Sequence, residues 1–318
     1  MKRALGNGIS LVILIMAALL TTACYEFSLG SASDNVHKTF RVEPGGKLTL
    51  DSDSGSIEVS SGGRGEVRVD VEREASGSSD SEAAEILSRL QLDFRQDGND
   101  VYIQAKSRKD NFFGLGGRRL RLRFVVMVPD NYNLDLKTGG GSISVNDLEG
   151  TVMARTSGGS LKFGYIKGPV TGRTSGGSIH LEGGQGPLDA QTSGGSIHIG
   201  RVNGPVKAHT SGGSIHVEEV QGTIEATTSG GGISATISMQ PEGDCELSTS
   251  GGSIHARLSR DLNLNVLAKT SGGSVRTDLP IETQGELNRR RLEGRLNQGG
   301  PRLVLATSGG GISIDELK

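Results

Sequence analysis

The chain has 318 residues, of which 50 are Gly, about twice the usual share of roughly 7%. Trp is absent and aromatics are 3%, which excludes an ordinary aromatic-rich core and leaves an aromatic-lined sugar cleft poorly supplied. Lys plus Arg (34) against Asp plus Glu (36) gives −2, so no global field favours nucleic acid or membrane lipid, and two Cys exclude a disulfide scaffold.

In chain order, residues 1–23 read first as an address. Met1-Lys2-Arg3 is a basic start, and Leu11 to Leu20 is an apolar run of signal-peptide length, too short to span a bilayer comfortably. It ends in Leu20-Thr21-Thr22-Ala23-Cys24. A small residue before Cys resembles a bacterial lipobox, with Cys24 as the lipidated first residue of the mature protein. The usual Leu three places before Cys is Thr21 here. Tyr25, rather than Asp, follows the Cys, which resembles outer-membrane sorting in a two-membrane bacterium. Residues 24–37 are expected to be the lipidated Cys and a flexible tether, because the segment is Ser-rich and polar.

Residues 38–137 read as looser coils of the repeat described next. Val67, Val69 and Val71 alternate, as do Leu120, Leu122, Phe124, Val126 and Val128. Between them, 81–90 has helical spacing, with Ser81 as the expected N-cap.

From 138 to 318 the chain is a repeat. A T-[SG]-G-G-[SG] block starts at Thr138, Thr156, Thr174, Thr192, Thr210 and Thr228, in steps of 18, then at Thr249 and Thr270 in steps of 21, and at Thr307 after 37. Apolar residues alternate on both sides of each block. Val170, Gly172 and Thr174 share one parity before the glycines; Ile179 and Leu181 share one after them. Intervening positions vary freely, so the constant set faces inward. An 18-residue unit cannot bury its apolar face alone, and stacking coil on coil solves this. The fold expected is all-β: a single-chain parallel β-helix (β-solenoid), right-handed by the crossover rule, with like side chains stacked about 4.8 Å apart. The paired glycines are expected to supply positive φ at the corners. The Thr column is expected inside, with its hydroxyls bonded to corner backbone, which argues against an ice-binding face. Leu303 to Ile314 reads as the final coil.

The segments KTFRVEPGGKLTLDSDSGSIEV, VVMVPDNYNLDLKTGGGSISV and LVLATSGGGISI, with the T-S-G-G-S-I repeats, resemble the bacterial putative-adhesin family, a group of unknown function made of envelope proteins that are often lipoproteins. The resemblance covers roughly 38–318. It implies a β-solenoid at the cell envelope and no established enzymatic activity.

Candidate chemistry is sparse. His180, His198 and His216 fall on one outward position, and stacked imidazoles there could clamp a transition metal; the blander reading is a polar outward row. Arg118, Arg119, Arg121 and Arg123 alternate, and Arg289, Arg290 and Arg291 cluster. Either set could meet anionic envelope polymers, or serve as solvated edges that block end-to-end pairing. Cys245 replaces an inward apolar residue and is expected to be a buried thiol. No outward acidic row of the kind a polysaccharide lyase needs recurs, and no helix opens after the glycines to form a phosphate loop. The sequence thus predicts no catalysis, no cofactor and no nucleic-acid partner. It predicts a membrane-anchored envelope scaffold whose partner is an envelope protein or polysaccharide. An accessory regulator that binds a membrane sensor of envelope stress is the alternative.

Overall fold

The computed structural model describes residues 30–107, 119–283 and 288–317. Each repeat forms two short strands separated by the Gly corner. Equivalent strands of successive repeats pair in parallel, so that Val170 faces Leu188, Leu188 faces Val206 and Val206 faces Ile224. Beyond the corner, Ile179, Ile197, Ile215 and Ile233 align in the same way. The result is a β-solenoid of two long sheets, each of 14 strands among the described residues. The first sheet gathers the strands that follow the glycines, the second those that precede them.

The alternating apolar residues point between the sheets and fill one continuous core. Small residues in the second sheet leave room for large ones in the first. A Cβ on Gly172 would lie 3.2 Å from Phe163, the bulkiest inward residue of its region. This is the interlocking that a narrow lumen requires.

The Thr column is buried, as its parity requires. Each hydroxyl donates to the carbonyl of a corner glycine one coil away, as Thr192 Oγ1 does to Gly177 O at 2.7 Å. The same oxygen accepts from the corner of its own coil, as from Gly195 N at 3.3 Å. One hydroxyl thus ties two coils together. A Ser ladder outside the corner does a similar job: Ser178 N donates to Ser160 Oγ, and Ser196 N to Ser178 Oγ, both at 3.2 Å. Thr192→Val should therefore destabilise the protein by about 1 kcal/mol, because it removes the buried hydroxyl that bridges Gly177 O and Gly195 N while keeping shape. Chemical denaturation would check this, and an unchanged midpoint would contradict it.

The corner glycines work differently from the expectation. Gly194 and Gly195 are not at positive φ. An added Cβ at Gly195 would stand 2.1 Å from Gly177 O, so glycine is needed there because stacked corners nearly touch. Positive φ belongs instead to the other corner, at Gly168 (φ 145) and Gly186 (φ 115), each just before Pro.

The N-terminal region departs from simple coils. The tether expected over 24–37 is, from Gly30, part of a strand Gly30–Arg41 that pairs antiparallel with Glu66–Gly77 at the outer end of the first sheet. Its composition misleads because an edge strand is mostly solvated; only Ala32, Val36 and Phe40 pack inward. The helix is Asp80–Ser88, capped by Ser79 rather than Ser81, with Glu82 N donating to Ser79 Oγ at 3.2 Å. Glu82 reaches back to Ser78 N, so the acid that completes the cap belongs to the earlier Ser. Ala83, Ile86 and Leu87 bury against Ala75.

Both ends of the solenoid are threaded out of sequence order. Lys47–Ser52 lies between Asp100–Ser107 and Asn133–Thr138, and Ser56–Ser61 between Arg119–Val128 and Ile143–Val145. At the other end, Arg302–Thr307 inserts between Cys245–Thr249 and Leu264–Thr270, and Ile312–Glu316 between Ile254–Leu258 and Val275–Thr277. The coil read as final is therefore next to last in space. The threonines record this order: Thr307 Oγ1 donates to Gly252 O, and Thr270 Oγ1 to Gly310 O. The step of 37 is the detour through the outermost coil and back. Antiparallel strands close the second sheet, Leu90–Asp97 at one end and Arg291–Leu296 with Ile281–Thr283 at the other.

Candidate functional site

In-register stacking turns each outward position into a row. On the first sheet one row runs from Lys162 through His180, His198, His216 and Ser234 to His255. Buried Ile197 and Ile215, one residue before two of the histidines, fix their backbone. The rings of His180 and His198 stack with centroids 5.0 Å apart and 11° between planes; those of His198 and His216 with 4.9 Å and 23°.

Glu218 lies two residues beyond His216, which in a strand is the same face. Its Oε1 is 3.7 Å from His198 Nε2, and the ligand atoms of His198, His216 and Glu218 all lie within 4.8 Å of one another. Burial and the neighbouring His198, with Arg257, hold the His216 imidazole below the usual histidine range against the opposing pull of Glu218. His255 differs: a Ser rung separates it from the others, and its Nδ1 is engaged by Ser313 Oγ at 2.9 Å and Asp315 Oδ2 at 3.3 Å. The stacked trio was legible as a row, but Glu218 was missed. The His-x-Glu spacing at His180/Glu182 and His216/Glu218 is the signal that strand parity offers.

Beside the row the sheet surface is shallow and lined by small polar groups. A groove of about 500 Å³ runs past Ser60, Ser144, Asn146, Lys162, His180 and Glu182. A second, of about 420 Å³, continues past Ser56, Ser142 and Ser160. The outer face of the second sheet is occupied by ion pairs between rungs. Lys106 meets Asp51 at 3.1 Å, Arg173 meets Asp189 at 3.2 Å, and Lys207 meets Glu225 at 3.2 Å.

Three of the candidate arginines, Arg121, Arg123 and Arg291, are paired with acids. Arg123 is held by Glu58 at 2.8 Å and Glu72 at 3.2 Å, and its hydrogen bonds keep the Glu58 carboxyl below the usual range. Arg121 pairs with Glu74 at 3.1 Å. Arg119 lies in the same strand, and Arg118 falls outside the described residues. Arg291 pairs with Glu293 at 2.7 Å. Arg289 and Arg290 are exposed, and their carbonyls accept from Val275 N at 2.8 Å and Thr270 N at 2.9 Å. They cover the outermost coil with backbone, the edge-blocking role. Cys245 is 2% exposed, and burial raises its thiol pKa, so it is a structural thiol. Cys24 lies outside the described residues.

Fold and surface together define a parallel β-solenoid that presents in-register rows of side chains on a stiff face. The chain belongs to the toastrack family DUF4097, whose model matches residues 45–315. Crystal structures with similar chains include a putative adhesin from Bacteroides fragilis (12% identity, 89% of this chain and 97% of that one, TM-score 0.37). A putative lipid binding protein from Parabacteroides distasonis matches at 12% identity over 91% and 97%, TM-score 0.34. A putative adhesin from Parabacteroides merdae matches at 12% over 90% and 97%, TM-score 0.32. No curated protein matches the chain.

Proposed function

We propose that this protein is a non-catalytic lipoprotein of the bacterial cell envelope, anchored through an acylated Cys24. Its rigid solenoid displays the outer face of the first sheet to an envelope protein or polysaccharide. The observation that supports this reading most is the row of aligned outward positions on that face, which runs on past a register shift between Val217 and Val220. Side chains from Lys162 to His255 repeat at strand spacing, and at the Lys162 end the row borders shallow grooves lined largely by serines with Asn146. A repeating ligand could use several rungs at once. The paired second-sheet face offers fewer unspent charges.

Two measurements test the reading. Cys24→Ser should release the protein from the membrane fraction and abolish fatty-acid labelling; unchanged retention would remove the anchor from the proposal. Capture from detergent-solubilised envelope extract should recover a component that binds the wild-type chain but not a Lys162→Ala, Glu182→Ala variant. Equal recovery by both would place the binding surface elsewhere.

A further inference from the structure

The stacked histidines do more than fill a polar row. Three donor atoms, from His198, His216 and Glu218, converge to within 4.8 Å from two adjacent rungs. None of the rings of His180, His198 and His216 hydrogen-bonds to another described residue, in contrast to His255, which is tied to Ser313 and Asp315. Two imidazoles and one carboxylate suit a borderline transition metal and not calcium or magnesium, which require oxygen ligands.

We propose that His198, His216 and Glu218 bind one zinc-class divalent ion, with the remaining coordination position open to solvent or to a donor from outside the chain. The distances fit this with side-chain movement only. Tetrahedral zinc with bonds of about 2.0–2.2 Å places its donor atoms about 3.3 Å apart. Donors now up to 4.8 Å apart close that gap by rotating half-exposed imidazoles and an exposed carboxylate. The backbone does not need to move, because His198 and His216 are paired in register between buried Ile197↔Ile215 and Ile199↔Val217. Stacking itself sets the limit on how far the rings diverge.

Glu218 supplies negative charge that offsets part of the ion's charge. His180 stacks on His198 from the other side and packs the ring in place. The open fourth position follows from the outward orientation of the row, since a partner carboxylate or imidazole can approach along the sheet normal. The site is independent of the display role proposed above, because it is tested on the isolated protein.

The test is a zinc titration of the untagged full chain by calorimetry. Wild type should take up one ion per chain. The double variant His198→Ala, His216→Ala should bind at least about tenfold more weakly, since losing ligands costs no less than losing their orienting partners. His255→Ala should bind as wild type does. Metal-free melting of all three proteins should remain a single cooperative transition, because the changed side chains face outward. Wild type that takes up no zinc, a double variant that binds as tightly as wild type, or a loss in His255→Ala as large as in the double variant would each overturn the site.

Discussion

Gly195→Ala should destabilise the protein by about 3 kcal/mol or more, the upper range for overpacking a site that cannot relax. The new methyl would stand 2.1 Å from Gly177 O and 2.4 Å from its carbonyl carbon, both backbone atoms. That corner is itself fixed, since Gly177 O accepts from Thr192 Oγ1. Gly194→Ala is the matched comparison. Its methyl would lie 3.3 Å from Gly176 O, a contact that a small shift relieves, so the change should stay within about 1 kcal/mol either way. Denaturant midpoints for the two variants would show a clear separation. Equal costs would mean that the close approach of corners is not what selects glycine.

Ile197→Asp should cost about 4 kcal/mol, because it places an unpaired carboxylate in the core. Ile197 is 1% exposed and stacks between Ile179 and Ile215. The next residue, His198, points outward, and His198→Asp should cost within about 1 kcal/mol, as exposed charge changes do. Thermal unfolding of the pair reads the strand parity directly. Comparable losses in both would reverse the inside and outside assigned to every rung.

Each coil contacts mainly its neighbours, so damage at one rung should spread by weakening two interfaces rather than the whole core at once. The threaded ends bear on this. Because the last strands of the sequence insert one coil in from the end, the C-terminal segment is held on both sides. Fraying at this end is therefore expected to involve Leu264–Thr270 and its antiparallel cover before Arg302–Thr307.

Much of this molecule was written in its residue order. The 18-residue spacing of the Thr-Gly-Gly block established stacking, and period-two alternation established which side chains face inward. The Thr hydroxyl bonds and the buried Cys245 followed from parity alone. Local patterns of this kind survive because a parallel stack repeats one environment rung after rung. What residue order did not reveal depends on which coil lies next to which. The glycine corner needs no positive φ, because its constraint is the approach of a neighbouring coil and not its own dihedral angles. The pairing of Arg121 and Arg123 with Glu74, Glu58 and Glu72 arises across strands far apart in sequence. Glu218 reaches His198 for the same reason, across one rung. The strand Gly30–Arg41 resembled a tether because an edge strand buries few residues. The insertion of Arg302–Thr307 beneath Leu264–Thr270 was likewise invisible, since equivalent repeats carry the same inward residues and any two of them can pair. Only the closed structure, in which each edge must be matched or covered, decides among those pairings.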